Sequence, residues 1–163
     1  TGGKLTTYRL MAQDALKRAR NCIPKDSTSL HLRSRPSHPE EALQNLKLPE
    51  TLTPAARLRL LGRHGLNAQQ LVETAGDGEL QPVAPSTSLW AELRWAARHE
   101  AVSHLDDLLL RRVRLGLFAP SGGANLLDRV QQIVRPELGW DESRWTSEVA
   151  RYTEIWRRCY HVG

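Results

Sequence analysis

The chain has 163 residues, a formal charge of +5, 40% hydrophobic and 25% charged side chains, enough for one domain with a real core. No apolar run approaches the roughly 20 residues of a membrane-crossing helix, and Cys22 and Cys159 have no metal-ligand spacing, so free thiols are expected. The positive excess sits at the start, where residues 1–40 hold eight Lys/Arg against three Asp/Glu; it reads as a solvated face or as a surface for an anionic partner.

In chain order, Gly2-Gly3 permits an unusual turn, and Thr6 or Thr7 can cap a helix carried by Leu10, Met11, Ala15, Leu16 and Ala19. A glycine turn feeding a helix N-terminus is an anion site in waiting, with Lys4 adding a full cation. The pattern has neither Walker nor dinucleotide spacing and opens inside a turn, as expected of a piece of something longer. From Cys22 to Pro49 prolines punctuate a polar run that predicts a flexible linker, with 25–38 the least ordered part and a short helical turn over 40–46.

Thr53-Pro54 is an N-cap with proline at the first helical position, opening a helix that ends at Gly62 or Gly65. Asn67 can cap a second, stopping before Gly76-Asp77-Gly78. The longest periodic stretch follows, Leu89–Leu115, capped by Ser86, Thr87 or Ser88, with Trp90, Leu93, Ala97, Ala101, Leu105 and Leu108 on one face. Glu100 and His104 lie four apart near that stripe, so a carboxylate–imidazole bond is available; Ser103 before Asp106 also reads as a capping box, which predicts a break and restart near 103. Ala124–Leu138 makes another helix, ending near Pro136 and Gly139. Asp141 opens the last one, whose buried stripe is Trp145, Val149, Tyr152, Ile155, Trp156 and Cys159. No alternating strand pattern of useful length occurs. The fold class is all-α, a compact bundle-like domain of about five to six helices.

The six histidines make no H-x-x-x-H pair, and no nucleophile elbow or phosphate-loop signature is present. The residues support a helical domain with one anion-friendly edge, not a self-contained enzyme. A basic nucleic-acid-binding or protein-interaction module is the alternative.

That edge carries a resemblance. Residues Thr1 to Arg9, TGGKLTTYR, resemble the GGKLTTYR segment of the FAD-dependent glycerol-3-phosphate dehydrogenases. Downstream, Arg63-His64-Gly65 resembles the family's RYG, Arg94 to Glu100 its following helix, Leu105 to Leu115 its LxDxLxRRTRL, and Leu138-Gly139-Trp140-Asp141 its ELGWD. His64 stands where tyrosine is usual and Val113 where threonine is usual. The resemblance implies an enzyme with an FAD domain, a substrate domain and a helical C-terminal domain. Such enzymes oxidise glycerol 3-phosphate to dihydroxyacetone phosphate and pass electrons through FAD to a quinone. Residues 1–21 would then be the last edge of the FAD domain leading into a helix, 22–50 a flexible linker and 51–163 the helical C-terminal domain. Lys4, Leu5 and Thr6 would bind the flavin, with no catalytic residue and no metal in this chain. The implied partners are the rest of the enzyme, a second copy as homodimer and, through the whole enzyme, the inner face of the cytoplasmic membrane. The chain alone is expected to be inactive.

Overall fold

The computed structural model describes residues 7–22 and 45–161, and the chain forms two compact units, residues 1–39 and 40–163. Lys4, Leu5 and Thr6, the stretch expected to be least ordered and the first part of the turn expected over 40–46 lie outside the described residues. In the first unit, α1 (Tyr8–Ala19) runs into a single 3-10 turn, Arg20–Cys22. It holds the predicted apolar positions, and Lys17 and Arg18 place positive charge at its C-terminal end, where the dipole is negative.

The second unit is helical, and its described residues pair as β-structure only at an isolated bridge between Pro82 and Leu89. α2 (Pro54–His64) opens where predicted: Thr53 Oγ1 accepts from the Ala56 N–H at 3.2 Å, and proline fills the first helical position. A 3-10 turn leads to α3 (Ala68–Glu73), where Asn67 takes the cap position without a side-chain cap bond. α4 is Trp90–His99, and a π-helical segment, Asp107–Arg112, leads to the short α5 (Leu115–Phe118). α6 (Leu127–Leu138) ends on Gly139 at φ 63°, a left-handed position that suits glycine. α7 (Glu142–Cys159) starts at Asp141, whose carboxylate accepts from the Arg144 N–H at 2.7 Å.

The long central helix is the main correction. It stops at His99; Glu100 caps it, Ala101 turns left-handed at φ 50° and is exposed, and the chain restarts at His104. The expected break near 103 is therefore real but begins earlier, and its cap is different. The Asp107 carboxylate, not the Ser103–Asp106 pair, accepts from the N–H groups of Ser103 and His104 at 3.2 and 3.0 Å. Glu100 and His104 are no longer one helical turn apart, so their predicted pairing is lost. The start differs as well: Leu89 takes the N-cap position instead of a serine or threonine. In the restarted segment Val113 N–H bonds Leu108 O at 2.9 Å, five residues back. That wider turn accompanies three consecutive buried leucines, Leu108, Leu109 and Leu110.

α4 positions everything else because it is buried on two faces. Ala91 and Trp95 join Leu52, Leu60, Ala68, Leu71 and Leu89 in one core. Trp90, Leu93 and Ala96 join Leu105, Leu108, Val130, Ile133, Val134, Trp145 and Tyr152 in the other. Each fully buried leucine stabilises by about 2 kcal/mol. In the last helix Trp145 and Tyr152 are buried as predicted, but Cys159 is exposed, as is Cys22, and both are free thiols.

Candidate functional site

Among the described residues the chemistry-bearing side chains gather around buried carboxylates. The first is Glu92, at the third position of α4. Its Oε1 accepts from the Leu89 N–H at 2.7 Å, so it supplies half of a capping box; leucine has no side-chain acceptor to supply the other half. Arg59 of α2 forks onto the same carboxylate at 2.7 and 2.9 Å and reaches Ser88 Oγ at 2.9 Å. Arg63 Nε and His64 Nε2 approach Glu92 Oε2 at 3.4 and 3.3 Å. Arg59 and Arg63, four apart, share one face of α2, and His64 reaches the same carboxylate from the helix's last residue. Burial pushes the Glu92 carboxyl up, but the bonds from His64, Arg59 and Leu89 outweigh it and hold the group at about 2.

The second centre ties the loop before α4 to α6. Arg94 forks onto Glu79 at 2.6 and 2.9 Å, and the Gly76 N–H caps the same carboxylate at 2.9 Å. Arg94 also reaches Glu137, which Arg98 holds at 2.9 Å. Burial raises the Glu79 carboxyl and Arg94 lowers it, with a net lowering; Glu137 is lowered chiefly by Arg98. The third centre is Glu148 of α7. It accepts from the Leu105 N–H at 3.0 Å and pairs with His104 Nδ1 at 2.9 Å and Arg144 at 2.7 Å. Burial works against its ionisation, and these partners still bring the carboxyl below its ordinary value. His104 thus finds its carboxylate on α7 instead of at Glu100.

A proton-transfer catalyst works best with a pKa near the operating pH. Glu92, Glu79, Glu137, Glu148 and Asp107 are all shifted the other way, so at neutral pH they serve as ionised acceptors. Their bonds tie the helices that carry them into one frame. Among the described residues no group of three or more His, Cys, Asp and Glu could hold a metal ion, and no helix is long and apolar enough to cross a membrane. Beside the Glu92 centre lies a cleft of about 410 Å³ between the start of α2 and the 80–89 loop, with Arg59 in its wall.

The frame has relatives. Residues 13–145 match the family described as the C-terminal domain of alpha-glycerophosphate oxidase. The chain belongs to that family. It is similar to glycerol-3-phosphate dehydrogenase 2 of Mycobacterium tuberculosis, at 32% identity over 93% of this chain and 28% of that protein. The glycerol-3-phosphate dehydrogenase of Mycobacterium leprae is 30% identical over the same shares. The mitochondrial enzyme of Arabidopsis thaliana is 28% identical over 95% of this chain and 28% of its own length. The chain therefore spans less than a third of the curated relatives it matches. No solved structure matches it.

Of the residues that frame this C-terminal domain, sequence reading found the local caps at Thr53 and Asp141 and missed Glu92, Arg59, Glu79 and Glu148. A signal existed for two of them. Glu92 is an acid three residues after the cap position, and Glu148 sits three after Trp145 and four before Tyr152, inside the apolar stripe of α7.

Proposed function

We propose that this chain is the C-terminal helical domain of an FAD-dependent sn-glycerol-3-phosphate dehydrogenase, which oxidises glycerol 3-phosphate to dihydroxyacetone phosphate and passes the electrons to a quinone. The observation that carries the reading is the match over 93% of this chain to a mycobacterial relative of that name, at 28% of the relative's length. The enzyme's division here is residues 1–21 as an edge of the FAD domain, 22–50 as linker and 51–163 as the helical domain. FAD supplies the two-electron chemistry. Lys4, Leu5 and Thr6 lie against it, where the lysine and backbone N–H groups favour the negative charge gained on reduction. The start of α1 at Tyr8, immediately after these residues, supports that placement. The helical frame docks on the FAD and substrate domains and takes no part in the reaction. The whole enzyme works as a homodimer in the cytoplasm, in contact with the inner face of the membrane.

The test is a pair of assays. The isolated chain is expected to retain no FAD and to show no dye-linked oxidation of glycerol 3-phosphate; turnover by the chain alone overturns the reading. A chimera placing this chain on the preceding part of the Mycobacterium tuberculosis relative is expected to retain flavin and oxidise substrate. In that chimera Lys4→Ala should make the flavin harder to reduce, and an unchanged potential removes the role given to Lys4.

A further inference from the structure

The cleft beside Arg59 belongs to none of the functions above. One wall is Thr51, Leu52, Thr53 and the first turns of α2; the other is the loop from Leu80 to Leu89. Its volume of about 410 Å³ falls within the range of small-molecule sites, which pair an apolar lining with a few fixed polar groups. This cleft has that composition. Leu52, Ala56, Leu80 and Leu89 are among its apolar lining residues, and Thr51, Thr53, Ser86 and Thr87 are among its polar ones.

The fixed polar group is Arg59. Its guanidinium is held by two bonds to Glu92 and one to Ser88, three of the five N–H donors an arginine carries. Glu92 also faces Arg63 Nε and His64 Nε2, so the one carboxylate is matched by two guanidinium cations before the imidazole is considered. The local balance is positive, and the guanidinium is locked in place, so a ligand need not order it.

We propose that this cleft binds a small amphiphile with an anionic, hydrogen-bond-accepting head directed at Arg59 and a short apolar body laid along Leu52, Ala56 and Leu89. The site is separate from the flavin residues and independent of the reading of the whole enzyme. It gives the helical domain a ligand of its own.

Amide chemical shifts of the 163-residue chain, titrated with hexanoate and in parallel with the neutral hexanol, test this. Hexanoate is expected to cause saturable shifts confined to residues 51–59 and 80–89. Hexanol should bind the same place about tenfold more weakly, the loss of one charge-assisted hydrogen bond. Ala55→Trp fills the cleft from an exposed position on its wall and should abolish the response; Thr87→Trp does the same from the opposite wall if the first variant unfolds. Absence of saturable shifts at millimolar hexanoate overturns the proposal. So does an undiminished response in a folded tryptophan variant, and equal affinity for hexanol removes the anionic head from it.

Discussion

Two buried carboxylates do similar work in the two cores, and their surroundings differ. Glu92 and Glu148 each accept a backbone N–H at the start of a helical segment, from Leu89 and Leu105. Each also draws in arginine and histidine, Glu92 from α2 and Glu148 from Arg144 on its own helix and from His104. Glu92 is 1% exposed and its partners are more withdrawn, His64 at 5%, Arg59 at 23% and Arg63 at 32%. Glu148 is 2% exposed, but His104 and Arg144 are 40% and 45% exposed. The first assembly is the drier of the two and the second has a wet rim. The difference teaches that an ion pair's worth depends on whether water can replace the partner when it is lost.

The largest expected effect follows from that. Glu92→Leu leaves Arg59 and Arg63 without their carboxylate and strands the buried Leu89 N–H. A broken buried pair of this kind costs about 3–5 kcal/mol. Glu148→Leu leaves His104 and Arg144 to turn outward and orphans chiefly the Leu105 N–H, a loss of about 1–3 kcal/mol. Urea unfolding of the two variants reads the contrast directly. Equal losses would break the comparison.

Acid reads both sites in the same sense. The Glu92 carboxyl is held at about 2 against an ordinary 4.5, so its contribution is present above the ordinary value and is lost as pH falls from 4.5 toward 2. The shift corresponds to about 3 kcal/mol. Stability measured across that window should fall in the native chain and fall markedly less in Glu92→Leu. Glu148 is lowered in the same sense, so its variant should also flatten the acid limb. A native profile flat below 4.5 would remove the assignment.

The drier assembly was the less legible of the two in the sequence, and for a definite reason. Periodicity marked one face of α4, through Trp90 and Leu93, while the structure buries Ala91, Glu92 and Trp95 on the opposite face as well. A glutamate in a two-faced helix carries no local mark beyond its distance from the cap; its arginines come from 33 and 29 residues upstream. The helix class, the starts at Pro54 and Glu142 and the end at Gly139 were legible because proline, Asp141 and glycine act locally. The break after His99 was legible only in outline, since alanine gives no sequence signal for the left-handed φ of 50° that Ala101 adopts. The proposed flavin residues Lys4, Leu5 and Thr6 rest on resemblance alone.

A third prediction tests whether the wet-rimmed half depends on backbone fit more than on charge. After α5 (Leu115–Phe118), Ser121, Gly122 and Gly123 turn left-handed in succession. Tyr152 donates its hydroxyl to Gly122 O, and Trp156 Nε1 bonds Gly116 O at 2.9 Å. A Cβ on Gly122 would lie 2.7 Å from the Trp156 ring at φ 68°. Gly122→Ala should therefore cost about 2 kcal/mol from backbone strain and overpacking together. Gly123→Ala, at a similar φ of 78° but with nothing nearer than 3.5 Å to the added Cβ, should cost less, the backbone strain alone. If the two variants unfold at the same urea concentration, the close approach to Trp156 is not what matters.

The smallest effects place the contrast in the carboxylates themselves and not in the halves that contain them. Thr53 and Asp141 are local helix caps, one in each half, both exposed, with bonds of 3.2 and 2.7 Å to the N–H three residues on. Water can serve each orphaned N–H after substitution, so Thr53→Ala and Asp141→Ala should each cost about 1 kcal/mol. Their near equality is the expected result. If Thr53→Ala were as damaging as Glu92→Leu, the sensitivity would belong to α2 as a whole; if only the buried acids differ, access of water to the partner is the controlling variable.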